Sequence, residues 1–318
     1  MKNYEPKPLF LERMKSLLGS EKELERYLEM LKVPILRTIR CNTLKISPSE
    51  LKIKLENKGW KINQPFHEFQ EIMIVESELA PGELGRALEH MLGYYYIQEM
   101  ASMLPVLVLN PKPSETVLDL CAAPGSKTTQ IAARMENSGL LIANEVKMDR
   151  LKILATNIER CGVANCIVTR KDGIALCKRL KEEGFLFDKI LLDAPCSGEG
   201  TIRSTPRTLE SWNIKTIENL SKLQKSLIAS AIEILKPEGE LVYSTCTHAP
   251  EENEEVLNFA LKNFDVKIEK INLPVKASPG ITKWMDKEYL QDVKLSCRLY
   301  PQNSNTEGFF ISKVRKIK

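Results

Sequence analysis

DLCAAPGSKT, residues 119–128, is the stretch on which the fold turns. It closes the short apolar run TVLDL (116–120), passes through a tight turn of small residues and opens a helical pattern over 127–135. Ala122, Ala123 and Gly125 allow a ligand close to the backbone, and the start of the following helix offers unpaired N–H groups to an anionic group. No glycine immediately precedes Lys127, as a Walker A loop requires, and the G-x-G-x-x-G pattern is absent. A plain strand-to-helix connection has the same outline, so the neighbouring segments decide.

Downstream, LLIANE (140–145), CIVTR (166–170), FDKILLD (187–193) and ELVYST (240–245) are short apolar runs bounded by turn residues, with helical stretches at 148–160 and 217–235 among them. Strands that are apolar throughout and spaced by helices predict a parallel sheet covered on both faces. VKIEKI (266–271) and GFFISKV (308–314) complete it. Upstream, 8–31 reads as two amphipathic helices, the second opened by Ser20 with Glu23 three residues on. Strands at 38–44, 60–63 and 71–75, a helix at 49–58 and another after Pro81 follow. The expectation is an α/β protein with a helical and α+β domain over 1–95 and a larger sheet domain over 96–318.

Composition agrees: 318 residues, 43% apolar and 28% charged, are those of a globular chain and leave no case for disorder or a solenoid. No window reaches the roughly 18 apolar residues of a membrane span, and MKNYEPKPLFLERMK lacks a leader layout, so a cytoplasmic location and no membrane partner are expected. Eight cysteines without a C-x-x-C pair, and only His67, His90 and His248, predict no metal site. The net charge of +4 is small, yet residues 31–61 hold eight basic side chains against Glu50 and Glu56. Arg37, Arg40 and Lys45 in that segment are candidate phosphate contacts; solvated faces are the alternative.

In a doubly wound sheet, ligands collect beyond the carboxyl ends of the strands. Glu145 ends the second strand of the larger sheet, where an acid can accept ribose hydroxyls, although it can equally be a charge at a helix start. Asp172, in KDG after the third, is placed to meet an adenine amino group or simply to make a turn. DAPCSGEGT (193–201) and YSTCTHAPEENE (243–254) each set a cysteine, Cys196 and Cys246, at or just past a strand end. One such cysteine reads as a small buried hydrophobe; two at neighbouring strand ends point to a ligand crevice. His248 is close enough in sequence to tune Cys246, though a turn histidine is the simpler reading.

Together, DLCAAPGSKT, DAPCSGEG, YSTC with PEENE, and EGFFISK resemble the NOL1/NOP2/Sun family of RNA cytosine-5 methyltransferases, of the archaeal tRNA type, over roughly residues 30–315. RTIRCNTLK and YIQEMAS look like the family's RNA-binding segment and domain junction. The resemblance implies a class I methyltransferase Rossmann fold with a seven-stranded, mostly parallel sheet, S-adenosylmethionine as cofactor and RNA, foremost tRNA, as partner. It implies that Cys121, Ala122, Ala123, Pro124, Gly125, Ser126 and Lys127 hold the methionine part, with Glu145 and Arg150 near the ribose and Asp172 near the adenine. Asp193 would face cofactor and base, Cys246 would be the nucleophile, Cys196 the group for product release, and Lys127 an assistant. Ser126 stands where a glycine is frequent, and QNSNTE before Gly308 lacks a histidine, which leaves that loop's role open. Ribosomal RNA as substrate, or an inactive RNA-binding protein on this fold, are the alternatives.

Overall fold

The computed structural model describes residues 5–318; the first four residues of the N-terminal stretch quoted above lie outside it. Two compact units interleave along the chain, one comprising 36–193 and 230–242, the other the described residues up to 35 with 194–229 and 243–318.

The first unit contains two sheets. The smaller is antiparallel, in the order Ile62–Asn63, Ile72–Val75, Thr38–Cys41, Tyr95–Ile97. Ile39, Leu51, Leu55, Met73 and Tyr95 form its core against the helix Pro48–Glu56, which begins with a Ser47/Glu50 capping box. The larger is ordered Leu235–Thr245, Phe187–Asp193, Thr116–Asp119, Leu140–Asn144, Cys166–Thr169, its first strand running on into the other unit. The pairings made by Thr116–Asp119 and Leu140–Asn144 are parallel, with Leu118 opposite both Ile190 and Ile142. Val117, Leu118 and Leu120 in one central strand and its end, and Ile190, Leu191 and Leu192 in its neighbour, are all buried, as expected where helices cover both faces. Between the strands lie the helices Ser126–Arg134, Met148–Cys161 and Gly173–Glu182.

In the second unit, the helices Pro8–Leu18 and Glu21–Leu31 pack with Ile202, Leu209, Trp212 and Ile217 around Phe10, Met14 and Tyr27. Ser20 accepts from the Glu23 backbone N–H at 3.2 Å, which starts the second helix. The strand Phe309–Lys316 pairs antiparallel with both Val266–Glu269 and Cys297–Leu299, and Ser278–Pro279 pairs antiparallel with Cys297–Leu299, so the closing strands are antiparallel and two more than the sequence pattern announces.

The small sheet shares a compact unit with the strands up to Asp193, and Arg40 ties the two. Arg40 is 1% exposed and cannot reach a phosphate in solvent, which corrects its assignment to an RNA-facing patch. Its guanidinium donates to Gln98 Oε1 (2.5 Å), Thr129 Oγ1 (2.8 Å) and the carbonyl of Ser126 (2.5 Å), binding the small sheet to the helix that follows the small-residue turn. Burial brings its pKa down to about 10, so it remains charged at neutral pH. Asn42 donates to the Cys161 carbonyl at 2.8 Å, and Arg134 meets Glu71 at 2.8 Å, adding two further ties between the small sheet and the larger sheet's helices. Lys45 is exposed, but its ammonium holds the carbonyls of Leu92 (2.9 Å) and Arg160 (2.8 Å). Arg37, the remaining proposed phosphate contact, is exposed and donates to the Ser77 carbonyl at 2.9 Å.

Candidate active site

The turn after Thr116–Asp119 reaches Gly125 at φ 105°, a conformation open to glycine, where an added Cβ would come within 3.0 Å of Leu154. The helix Ser126–Arg134 starts there. A cavity of about 270 Å³ opens beside this turn, lined among others by Tyr96, Gln98, Asp119, Ala122, Lys127 and Asp193. Lys127 Nζ lies 2.8 Å from Asp193 Oδ2 and donates to Ser102 Oγ at 2.8 Å. The lysine charge is therefore engaged with the Asp193 carboxylate, a partner that the assisting role implied by the resemblance does not name.

Asp119, 1% exposed, takes a hydrogen bond from Thr128 Oγ1 at 2.7 Å on one oxygen, while Oδ1 has no partner among the described residues. Burial raises its pKa to about 7. Cys121 follows it in the turn; burial first, then the carboxylates of Asp119, Asp193 and Glu145, hold its thiol strongly protonated.

Glu145 is 3% exposed, accepts from the Lys147 N–H at 2.8 Å and pairs with Arg150 at 3.1 Å. Arg150 also donates to the Ala123 carbonyl, so Glu145, Arg150 and the small-residue turn are joined. Asp172 sits apart from this pair: its Oδ1 accepts from the N–H groups of Ile174 (3.1 Å) and Ala175 (3.0 Å) and caps the helix Gly173–Glu182. Neither Asp172, Glu145 nor Arg150 lines the 270 Å³ cavity. Asn144, unremarked in the sequence, ties neighbouring strand ends by donating to Leu120 O (3.2 Å) and Lys171 O (3.0 Å).

In the other unit, Cys196 Sγ and Cys246 Sγ lie 3.3 Å apart. The two loops are joined on either side of the sulfurs. Ser197 Oγ meets Thr247 Oγ1 at 2.7 Å, and the Gly200 N–H donates to the Cys246 carbonyl at 2.9 Å. The hydrogen bond to Cys246, then burial and the negative charge of Cys246 and Glu252, push the Cys196 pKa well above its ordinary value. His248 does not act on the thiols as a base: it is 1% exposed, stacks on Tyr300 at 5.2 Å, and burial lowers its pKa to about 3. Among the described residues, no cluster of three or more His, Cys, Asp or Glu is arranged to hold a metal, and no helix is long and apolar enough to cross a membrane.

Strand order, helical crossovers and the turn at the strand's carboxyl end define a class I methyltransferase fold. A family profile described as 16S rRNA methyltransferase RsmB/F matches residues 106–315, and one for the N-terminal domain of 16S rRNA methyltransferase RsmF matches 7–100. The chain belongs to the RsmB/F (NOL1/NOP2/Sun) family of RNA methyltransferases. The tRNA (cytosine(49)-C(5))-methyltransferase of Pyrococcus abyssi is 44% identical over 292 residues, which is 92% of each chain. The ribosomal RNA small subunit methyltransferase F of Vibrio campbellii is 39% identical over 310 residues; the match takes in 97% of this chain but 63% of that one. Among solved structures, a methyltransferase homolog protein from Pyrococcus horikoshii has a TM-score of 0.85 at 38% identity, covering 97% of this chain and 94% of its own. NSun6 from Pyrococcus horikoshii, solved with SFG, has a TM-score of 0.83 at 28% identity and 97% coverage of both chains.

Proposed function

We propose that this protein methylates carbon 5 of cytosine in tRNA in the cytoplasm, using S-adenosylmethionine. The observation that carries the reading is the pair of thiols 3.3 Å apart, one of them held protonated by the other. The turn residues fit the cofactor: the buried, unpartnered Asp119 Oδ1 needs a donor, which a methionine ammonium provides, and the helix start at Ser126 suits its carboxylate. Glu145, held by Arg150, is assigned to the ribose, and residues 121–127 to the methionine portion. When bound, S-adenosylmethionine supplies a methyl group on a positively charged sulfur.

Carbon 5 of cytosine is a poor nucleophile until a thiolate adds at carbon 6. In this reading Cys246 makes that bond as a proton is taken up at ring nitrogen 3, and that N–H donates to the Asp193 carboxylate, which helps the electron pair move to carbon 5. Cys196, its sulfur 3.3 Å from that of Cys246, gives up its own proton to water before release. It then takes the carbon 5 proton as the carbon–sulfur bond breaks and Cys246 leaves. Lys127 orients Asp193 through their 2.8 Å pair. The target base must leave its stack to reach thiols that are only partly exposed.

The Pyrococcus abyssi relative, matched over 92% of both chains, supports tRNA over ribosomal RNA. Arg37 remains the assigned phosphate contact of the N-terminal segment. Bisulfite sequencing of tRNA and 16S rRNA transcripts incubated with protein and S-adenosylmethionine tests the reading. A protected cytosine in tRNA is expected; protection only in the ribosomal transcript moves the substrate, and none in either removes the activity.

A further inference from the structure

The peptide groups flanking Cys196 are both held by one buried pair of side chains. Gln224, wholly buried in the helix Ile214–Glu233, donates through Nε2 to the carbonyl of Pro195, the residue before Cys196, at 2.8 Å. Glu252, also wholly buried, accepts through Oε2 from the N–H of Ser197, the residue after, at 3.0 Å. The two side chains meet each other at 2.8 Å. On its other side, the Glu252 carbonyl accepts from Tyr243 Oη at 2.5 Å, and Tyr243 lies on the strand that leads to Cys246. Both clamp residues leave a buried oxygen without a hydrogen-bond partner among the described residues, Glu252 Oε1 and Gln224 Oε1. A buried carboxyl and amide with unsatisfied oxygens are expensive where packing alone would do, since each desolvated acceptor costs about 1–3 kcal/mol.

We propose that Glu252 and Gln224 are positioning residues that fix the turn carrying Cys196 so that its thiol stays against Cys246. The proposal deepens the covalent reading given above and rests on it for its kinetic consequence, but the placement itself is a property of the two thiols. Glu252 holds the turn by accepting hydrogen bonds, so a neutral acceptor of the same shape serves as well as the carboxylate.

The test uses Glu252→Ala, Gln224→Met and the conservative Glu252→Gln in the full chain, with Gln224→Met as the second arm should Glu252→Ala fold poorly. Two readouts are taken. The first is the rate at which diamide, a two-electron thiol oxidant, joins Cys196 to Cys246, read by mass spectrometry of the linked peptides. The second is the lifetime of the protein–RNA adduct on denaturing gels. Glu252→Ala and Gln224→Met should lower the linking rate and lengthen the adduct lifetime, each by about tenfold or more, as misplacement of a reacting group by a fraction of an ångström does. Adduct formation should change far less, and Glu252→Gln should restore both readouts. Wild-type linking rates in folded Glu252→Ala and Gln224→Met, or equal losses in attack and release, overturn the proposal. Slower linking in variants of a protein that forms no adduct at all would keep the clamp and remove the covalent reading instead.

Discussion

Cys196 and Cys246 bring their sulfurs within 3.3 Å although fifty residues separate them in the chain. The Cys196 pKa is raised, first by the hydrogen bond to Cys246 and then by burial. If Cys246 attacks and Cys196 permits release, both alanine variants lose turnover and differ on a denaturing gel. Cys246→Ala should show no stable protein–RNA species. Cys196→Ala should accumulate an adduct that survives denaturation, because the carbon–sulfur bond forms and the proton at carbon 5 is not removed. The opposite pattern exchanges the roles, and full activity in both variants ends the covalent mechanism.

Glu145 and Asp172, both assigned to the cofactor, should separate. Glu145→Ala removes a buried carboxylate that pairs with Arg150, and should weaken S-adenosylmethionine binding by about 1.5–3 kcal/mol, roughly tenfold to over a hundredfold, in calorimetry. Asp172→Ala loses the cap of Gly173–Glu182 and should cost about 1 kcal/mol of stability. Asp172→Asn keeps a capping oxygen and should restore that stability. If affinity returns with it, Asp172 serves the fold; if affinity stays low, its charge meets the cofactor.

Arg37 and Arg40 are near neighbours in sequence with opposite fates. Arg40→Met strands the Gln98, Ser126 and Thr129 acceptors and should lower stability by about 3 kcal/mol in denaturant melts. Arg37→Glu should leave stability nearly unchanged while weakening RNA binding and flattening its salt dependence. A wild-type salt slope in Arg37→Glu would return that residue to an ordinary solvated face.

His248 gives a pH dependence of definite sign. In the folded protein its pKa is lowered from 6.5 to about 3, so the unfolded chain takes up a proton that the native state refuses. Stability from this group is therefore present above pH 6.5 and is lost as pH falls toward about 3. Asp119 and Glu252, both raised to about 7, act in the other sense, losing native-state stability as pH rises from their ordinary carboxylate values toward 7. Urea midpoints across this range should fall less steeply on the acid side in His248→Asn than in the parent. Equal slopes would mean that the buried ring is not held neutral.

Much of the fold is legible because the strands are locally complete. FDKILLD carries its own boundaries and is the strand Phe187–Asp193 residue for residue. Tyr95–Ile97 escapes because three residues carry no usable period, and Met100–Leu109 because it is apolar all round with Pro105 inside. At the site, motif spacing anticipates the proximity of the thiols, since strand ends in a parallel sheet share one edge. Residue type misleads where one group can do two jobs. Asp172 caps a helix with the carboxylate that would serve a nucleotide, and the charge of Arg40 counts toward a basic segment although its guanidinium is spent on buried acceptors. Gln224 and Glu252 depend on contacts across 28 residues, which no local pattern encodes.

The buried Arg40 also limits how this chain can be divided or recombined. An N-terminal segment grafted from a relative would have to bring an arginine at the same point of its strand, because the carbonyl of Ser126 and the hydroxyl of Thr129 are its permanent docking sites on the catalytic half. Removing the segment would uncover those groups at the foot of the small-residue turn. The small sheet and the helix after the small-residue turn are thus inherited together, and a change made in the first is felt, through one side chain, by the second.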